Sequence, residues 1–103
     1  MYRALAERRD ALAALCRRFG VARLDVFGSA ARGADFDPAS SDADFLVDFD
    51  AHADDLGNYL DFKEALEKLL GRPVDLVDRQ AVVESRNYIR RRRILAEAVP
   101  VYG

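Results

Sequence analysis

Histidine and cysteine are nearly missing from this 103-residue chain, with one of each, His52 and Cys16, and there is no tryptophan. A single cysteine excludes an intrachain disulfide and suits a reducing compartment. Its surroundings, ALAALCRRF, read as an apolar helix, so a buried structural thiol is expected. A single histidine, beyond the end of an acidic stretch, gives little support to a Ser-His-Asp triad. The absence of a His/Cys cluster also argues against zinc. No run approaches the ~18 consecutive apolar residues of a membrane span, and MYRALAERRD lacks the apolar core of a signal peptide. A soluble, cytoplasmic protein is expected. A basic excess is missing too: the formal net charge is −2, which argues against direct, non-specific nucleic-acid binding. With no internal repeat, low-complexity segment or linker, the length reads as one domain over residues 1–103.

What is present is unevenly placed. Eight aspartates and no Lys or Arg lie between Asp35 and Asp55, whereas six arginines and one acid, Glu84, lie between Arg79 and Arg93. A helix is expected over 3–19, with Leu5, Leu12, Leu15 and Phe19 near one face and Gly20 as its C-terminal cap. RLDVF at 23–27 alternates as a short strand, with Leu24 and Val26 on one face and Asp25 and Phe27 on the other. GSAARG opens a short helix or turn, and ADFDPASS is a loop. DADFLVDFD at 42–50 has strand periodicity: Ala43, Phe45, Val47 and Phe49 toward a core, Asp42, Asp44, Leu46 and Asp48 away from it. A helix follows, with an apolar stripe of Leu56, Tyr59, Leu60, Leu66, Leu69 and Leu70. Asp54 or Asp55 can cap it, and Gly71 with Pro73 ends it. VDLVD at 74–78 is a third strand, 83–97 an arginine-rich helix, and VPVYG an extended tail. The whole is an α/β or α+β layer fold with a small mixed sheet of about three strands. The first two strands are too close in sequence for a helical crossover and should be antiparallel.

Alternation places Asp42 and Asp44 on one strand face, roughly 7 Å apart along the chain. Two carboxylates so placed repel, and a divalent cation removes the repulsion. Hard oxygen ligands favour Mg²⁺, which completes its shell with water and substrate phosphates. Just upstream, Gly28 allows close backbone approach, Ser29 offers a hydroxyl, and Arg32 lies one turn on, open to either a phosphate contact or a surface salt bridge. A phosphate grip followed by a metal grip suits a metal-bound nucleoside triphosphate. The stretch is no Walker A loop, dinucleotide fingerprint or nucleophile elbow. Asp48 and Asp50 read as solvent-facing acids, Asp35 and Asp37 as loop solubilisers. Of the run Arg90 to Arg93, one or two can dock an anion while most read as solvated, since four consecutive helical residues cannot share a face.

GSAARG…SDADFLVDF followed by VDLVD resembles the polymerase β-like nucleotidyltransferase superfamily. The tail YIRRRRILAEAVPVYG resembles the minimal nucleotidyltransferases, the MNT antitoxins paired with HEPN-domain toxins. The resemblance covers about Leu24 to Tyr102. It implies that Gly28 and Ser29 bind the triphosphate and that Asp42 and Asp44 hold metal. It also implies a third acid. Asp75 and Asp78 fall on opposite strand faces, so only one can join, and the resemblance favours Asp75. The spacer after Ser29 is longer than the family's, and its DFDP portion is expected to bulge outward. Two Mg²⁺ ions, ATP as substrate and transfer of AMP to a tyrosine hydroxyl of a HEPN ribonuclease are the implied cofactors and reaction. The short chain leaves no room for an acceptor-holding domain, so the acceptor should be a macromolecule, in a hetero-oligomer with the toxin. Two alternatives stand beside this: a non-catalytic antitoxin that neutralises by binding, and nucleotidyl transfer to a small molecule.

Overall fold

In the computed structural model, residues 3–32 and 42–103 are described. The expectations for Asp35, Asp37 and the DFDP portion lie outside them. Strand β1 (Val21–Phe27) and strand β2 (Ala43–Phe49) pair antiparallel, as their short connection requires, with Phe27 opposite Asp44 and Val21 opposite Phe49. Strand β3 (Val74–Asp78) lies parallel to β2, with Asp44 opposite Asp75. Parallel strands need a crossover, and helix α4 (Leu56–Leu70) supplies it.

The tail is not a free extension. Val99–Tyr102 forms strand β4, antiparallel to β1, and completes a four-stranded mixed sheet in the order β3-β2-β1-β4, one strand more than expected. β1 would otherwise present an open edge, and Val101 gains burial by covering it. Pro100 is compatible because β4 is itself an edge strand.

Two expected helices are interrupted. The first divides into α1 (Arg3–Glu7) and α2 (Arg9–Arg18). Arg8 between them leaves helical geometry at φ −102°, ψ 14°, and its guanidinium donates to the Leu69 carbonyl at 2.9 Å. The second, expected over 83–97, is broken after Val83: that residue closes a separate short helix, α5 (Arg79–Val83), and the arginine-rich helix α6 starts only at Tyr88 (Tyr88–Glu97). Ser85 and Asn87 cause that break, because such residues compete for backbone partners and favour caps. The Asn87 side chain accepts from the Arg90 amide at 3.2 Å, and the Ser85 hydroxyl accepts from the Asn87 amide at 3.2 Å.

Helix α4 begins at an Asp55 cap, whose carboxylate accepts from the Asn58 amide at 2.8 Å, and ends at left-handed Gly71. Its buried face differs from the expected stripe. Phe62 and Leu66 are fully buried, while Leu56 and Leu60 are 72% and 51% exposed. At 3.6 residues per turn, Leu60 is turned about 140° from the middle of the face formed by Tyr59, Phe62, Leu66 and Leu69.

The sheet is covered on both faces. On one, Leu24, Val26, Phe45 and Val47 pack with Leu5, Leu12, Cys16, Phe62 and Leu66. Burial pushes the Cys16 thiol up to about 12, which makes it inert as expected. On the other, Phe27 and Leu46 pack with Val82 of α5 and Ile94 of α6. Asp25 shares this second face and is completely buried. It accepts from Arg79 Nη1 at 2.7 Å and Arg23 Nε at 3.1 Å, so an ion pair ties the start of α5 to β1. Stripping a buried charge of its partner costs about 3–5 kcal/mol.

Candidate active site

The site begins where β1 ends. Gly28 takes φ +69° and turns the chain into the short helix α3 (Ser29–Arg32). The Ala31 and Arg32 amides donate to the Gly28 carbonyl at 3.1 and 3.2 Å. Two separate constraints demand glycine here. The positive φ is costly for any side chain, and a Cβ would stand 2.6 Å from Asp44 Oδ2. The Gly-Ser turn and Asp44 are therefore in direct contact.

Asp44 is flanked on both sides. β1 puts Phe27 opposite it, and β3 puts Asp75 opposite it. Paired residues of adjacent strands share a face, so Asp75 stands beside Asp44. Asp78 is opposite Val47, whose side chain belongs to the first core. Asp78 instead lines a separate cleft of about 360 Å³ with Phe49, Asp54, Asp55, Leu56 and Tyr59. Asp42 lies exposed just ahead of β2. Asp48 is half-buried and Asp50 exposed, near the far end of the strand.

These carboxylates feel one another. The Asp44 carboxyl is raised to about 6, first by burial, then by the charges of Asp75 and Asp42, with Arg32 opposing. The Tyr59 hydroxyl, which donates to the Leu76 carbonyl, is raised by burial and by Asp75 and Asp78. Among the described residues, no three His, Cys, Asp or Glu form a ready metal cage. Mg²⁺ does not require one, since it is commonly held by one or two carboxylates with substrate phosphates and water. The residues therefore fit a divalent cation: all-oxygen donors from Asp44 on β2, Asp42 just ahead of it and Asp75 alongside, whose mutual repulsion the cation would relieve.

A cleft of about 340 Å³ opens beside Asp44. Phe27 and Ile94 give it an apolar lining, and Gly28, Ser29 and Asp44 enter from the turn and the strand. Arg32, Arg90, Arg93 and Glu97 supply the remaining charges. Both readings of Arg32 hold at once: it lines the cleft, and its Nη1 donates to Glu97 Oε1 at 3.0 Å. The sequence allowed one or two arginines of the run Arg90 to Arg93 to dock an anion without saying which, and it did not single out Glu97, although the spacing of Arg90, Arg93 and Glu97 along one helix face could have signalled all three.

The profile of the Nucleotidyltransferase domain family matches residues 8–101. The chain belongs to that family. Over 63 residues this nucleotidyltransferase domain is 46% identical to the protein adenylyltransferase MntA of Thermococcus cleftensis; the match spans 61% of each protein, less than two thirds of that relative's length. A solved structure provisionally described as a minimal nucleotidyltransferase superposes with a TM-score of 0.76 at 39% identity, covering 97% of this chain and 96% of that one. Two more distant structures share the fold. One is a toxin–antitoxin with AMP-PNP, with a TM-score of 0.66 at 21% identity, over 92% of this chain and 73% of that one. The other is a tri-AMPylated Shewanella oneidensis HEPN toxin in complex with MNT antitoxin, with a TM-score of 0.62 at 19% identity, over 96% of this chain and 72% of that one. Among the described residues of this nucleotidyltransferase domain, no helix is long and apolar enough to cross a membrane.

Proposed function

We propose that this chain acts, as one nucleotidyltransferase domain, as a Mg²⁺-dependent protein adenylyltransferase. It transfers AMP from ATP to a tyrosine hydroxyl of a HEPN ribonuclease toxin and so serves as its cytoplasmic antitoxin. The observation that carries this reading is the contact between Gly28 and Asp44, with Asp75 in register alongside. A phosphate-binding turn and a cation-binding acid set then act on one substrate. The adenylyltransferase relative and the toxin–antitoxin structures support the choice of reaction and partner.

In this reading Gly28 lets the triphosphate approach the backbone, and the Ser29 hydroxyl donates to it. Asp42, Asp44 and Asp75 would hold the cations. Two bound Mg²⁺ ions would lower the acceptor hydroxyl's pKa and neutralise the departing pyrophosphate. The tyrosine oxygen forms a bond to the α-phosphorus as the bond to pyrophosphate breaks. We assign Asp75, exposed beside Asp44, to receive the phenolic proton.

The test is incubation with the cognate HEPN toxin, ATP and Mg²⁺, followed by mass spectrometry. A toxin tyrosine should gain AMP, and Asp42→Ala with Asp44→Ala should abolish the gain while the fold persists. Full neutralisation in cells by that double variant, or a tight complex with no mass gain, would favour an antitoxin that acts by binding alone.

A further inference from the structure

We infer that Arg90 and Arg93 of α6 form a polyphosphate-binding wall, by which the cleft distinguishes ATP from AMP. The inference rests on the cleft being a nucleotide site and adds residues that the Gly-Ser turn and the acids do not include. The run Arg90 to Arg93 is one block in sequence but is divided by the helix. Arg90 and Arg93 line the cleft with Ser29 and Asp44. Arg91 is turned elsewhere, its Nη1 donating to the Ser85 carbonyl at 2.9 Å. Arg92 is exposed and does not line the cleft. The rotation is set by Ile94, buried in the second core, and by the Asn87 cap. The stems of Arg90 and Arg93 therefore leave a seated helix, which lowers the cost of ordering them on a ligand.

Glu97 organises this wall. Its Oε1 accepts from Arg32 Nη1 at 3.0 Å and lies 3.6 Å from Arg93 Nε. Both arginine side chains remain substantially exposed, at 43% and 72%. Exposed ion pairs of this kind are weak, whereas guanidinium–phosphate contacts are charge-assisted and geometrically matched. A phosphate oxygen can therefore take Arg93 from Glu97 at little cost. The lining carries three arginines against two acids, in a chain of formal net charge −2. The other cleft near the sheet edge is lined by three aspartates, Asp54, Asp55 and Asp78, and by no cation. Of these two clefts, the first suits a polyanion. Its acidic side holds Asp44, so the reacting end of the nucleotide belongs there and the β- and γ-phosphates belong against α6.

Calorimetric titration of ATP, AMP and inorganic tripolyphosphate into the full chain with Mg²⁺ tests this. Arg90→Ala and Arg93→Ala should each weaken ATP binding about tenfold, or ~1.4 kcal/mol. The double variant should bind ATP more weakly than either single variant, and because the two share one ligand its loss need not equal the product of theirs. Tripolyphosphate binding should fall in parallel, AMP binding should change less than about threefold, and Arg92→Ala should match the wild type throughout. Unchanged circular dichroism and melting confirm that each variant folds. The inference is overturned if the double variant binds ATP as tightly as Arg92→Ala, or if AMP binding falls as far as ATP binding. A wild type that binds no ATP would overturn the nucleotide reading itself, and this inference with it.

Discussion

Replacing Gly28 by alanine tests whether the turn and the acid pair are one device. Three left-handed glycines have nearly the same backbone angle, and two of them provide a controlled comparison: Gly28 at φ +69° and Gly71 at φ +67°. A non-glycine residue in that region costs about 1–2 kcal/mol, partly offset by about 0.4–1 kcal/mol from a less flexible unfolded chain. A net loss of about 1 kcal/mol is expected at either position. For a domain of this size that lowers Tm by roughly 4–8 °C. The two sites diverge in what the new methyl group meets. At Gly71 it meets nothing within 4 Å, whereas at Gly28 it stands 2.6 Å from Asp44 Oδ2. Carbon and oxygen need about 3.5 Å, so the Asp44 carboxylate must retreat by roughly 1 Å. A reacting or coordinating group misplaced by that distance costs about 10²-fold in rate.

The expected outcome is therefore paired. Gly28→Ala and Gly71→Ala should lose similar stability in a thermal melt, and only Gly28→Ala should lose AMP transfer, by about 10²-fold. Transfer is measured with saturating ATP and toxin, well below both melting temperatures, and normalised to folded protein. If Gly28→Ala transfers AMP within threefold of Gly71→Ala, the contact with Asp44 has no catalytic meaning and the turn serves only to reverse the chain.

The remaining predictions concern the acids. The folded pKa of Asp44, about 6, lies above its ordinary 3.8, so folding favours the protonated form. The stability associated with it is full below about pH 4 and is lost as pH rises through 6. The shift corresponds to about 3 kcal/mol at 1.36 kcal/mol per unit, which partial exposure reduces to about 1–2 kcal/mol. Without metal, Asp44→Asn should therefore exceed the wild type in stability by that amount at pH 8, and the advantage should vanish by pH 4. Urea midpoints at the two pH values measure this, and an equal gap at both would refute the electrostatic account. Asp75→Asn should cut transfer by at least 10²-fold and lower the pKa of Asp44 in a carboxyl NMR titration, because a like charge is removed. Asp78→Asn should do neither. The opposite pattern would exchange the roles of the two acids.

Features that depend on local periodicity were legible. The alternation of ADFLVDF separates Phe45 and Val47 from Asp44 and Leu46 without reference to any other segment, and the structure keeps that division. Left-handed Gly20 and Gly71 follow from turn chemistry in the same way. What escaped depends on relations between distant segments. Parity within VDLVD shows that Asp75 and Asp78 diverge, but only the register of β3 against β2 shows which one meets Asp44. Both ends of α4 stand between those strands, and no local signal sets their alignment. VPVY reads as a tail because a strand containing proline has little intrinsic signature. It becomes β4 only because β1 has an edge to cover. The arginine run combines both cases. Helical geometry requires the four guanidinium groups to part, and the seat of Ile94 decides how. Arg90 lies four residues before Ile94 and Glu97 three after, which puts both on its side of α6, with Arg93 adjoining. A buried isoleucine thus selects which cations face the cleft, and the charge pattern becomes readable only after the core position is known.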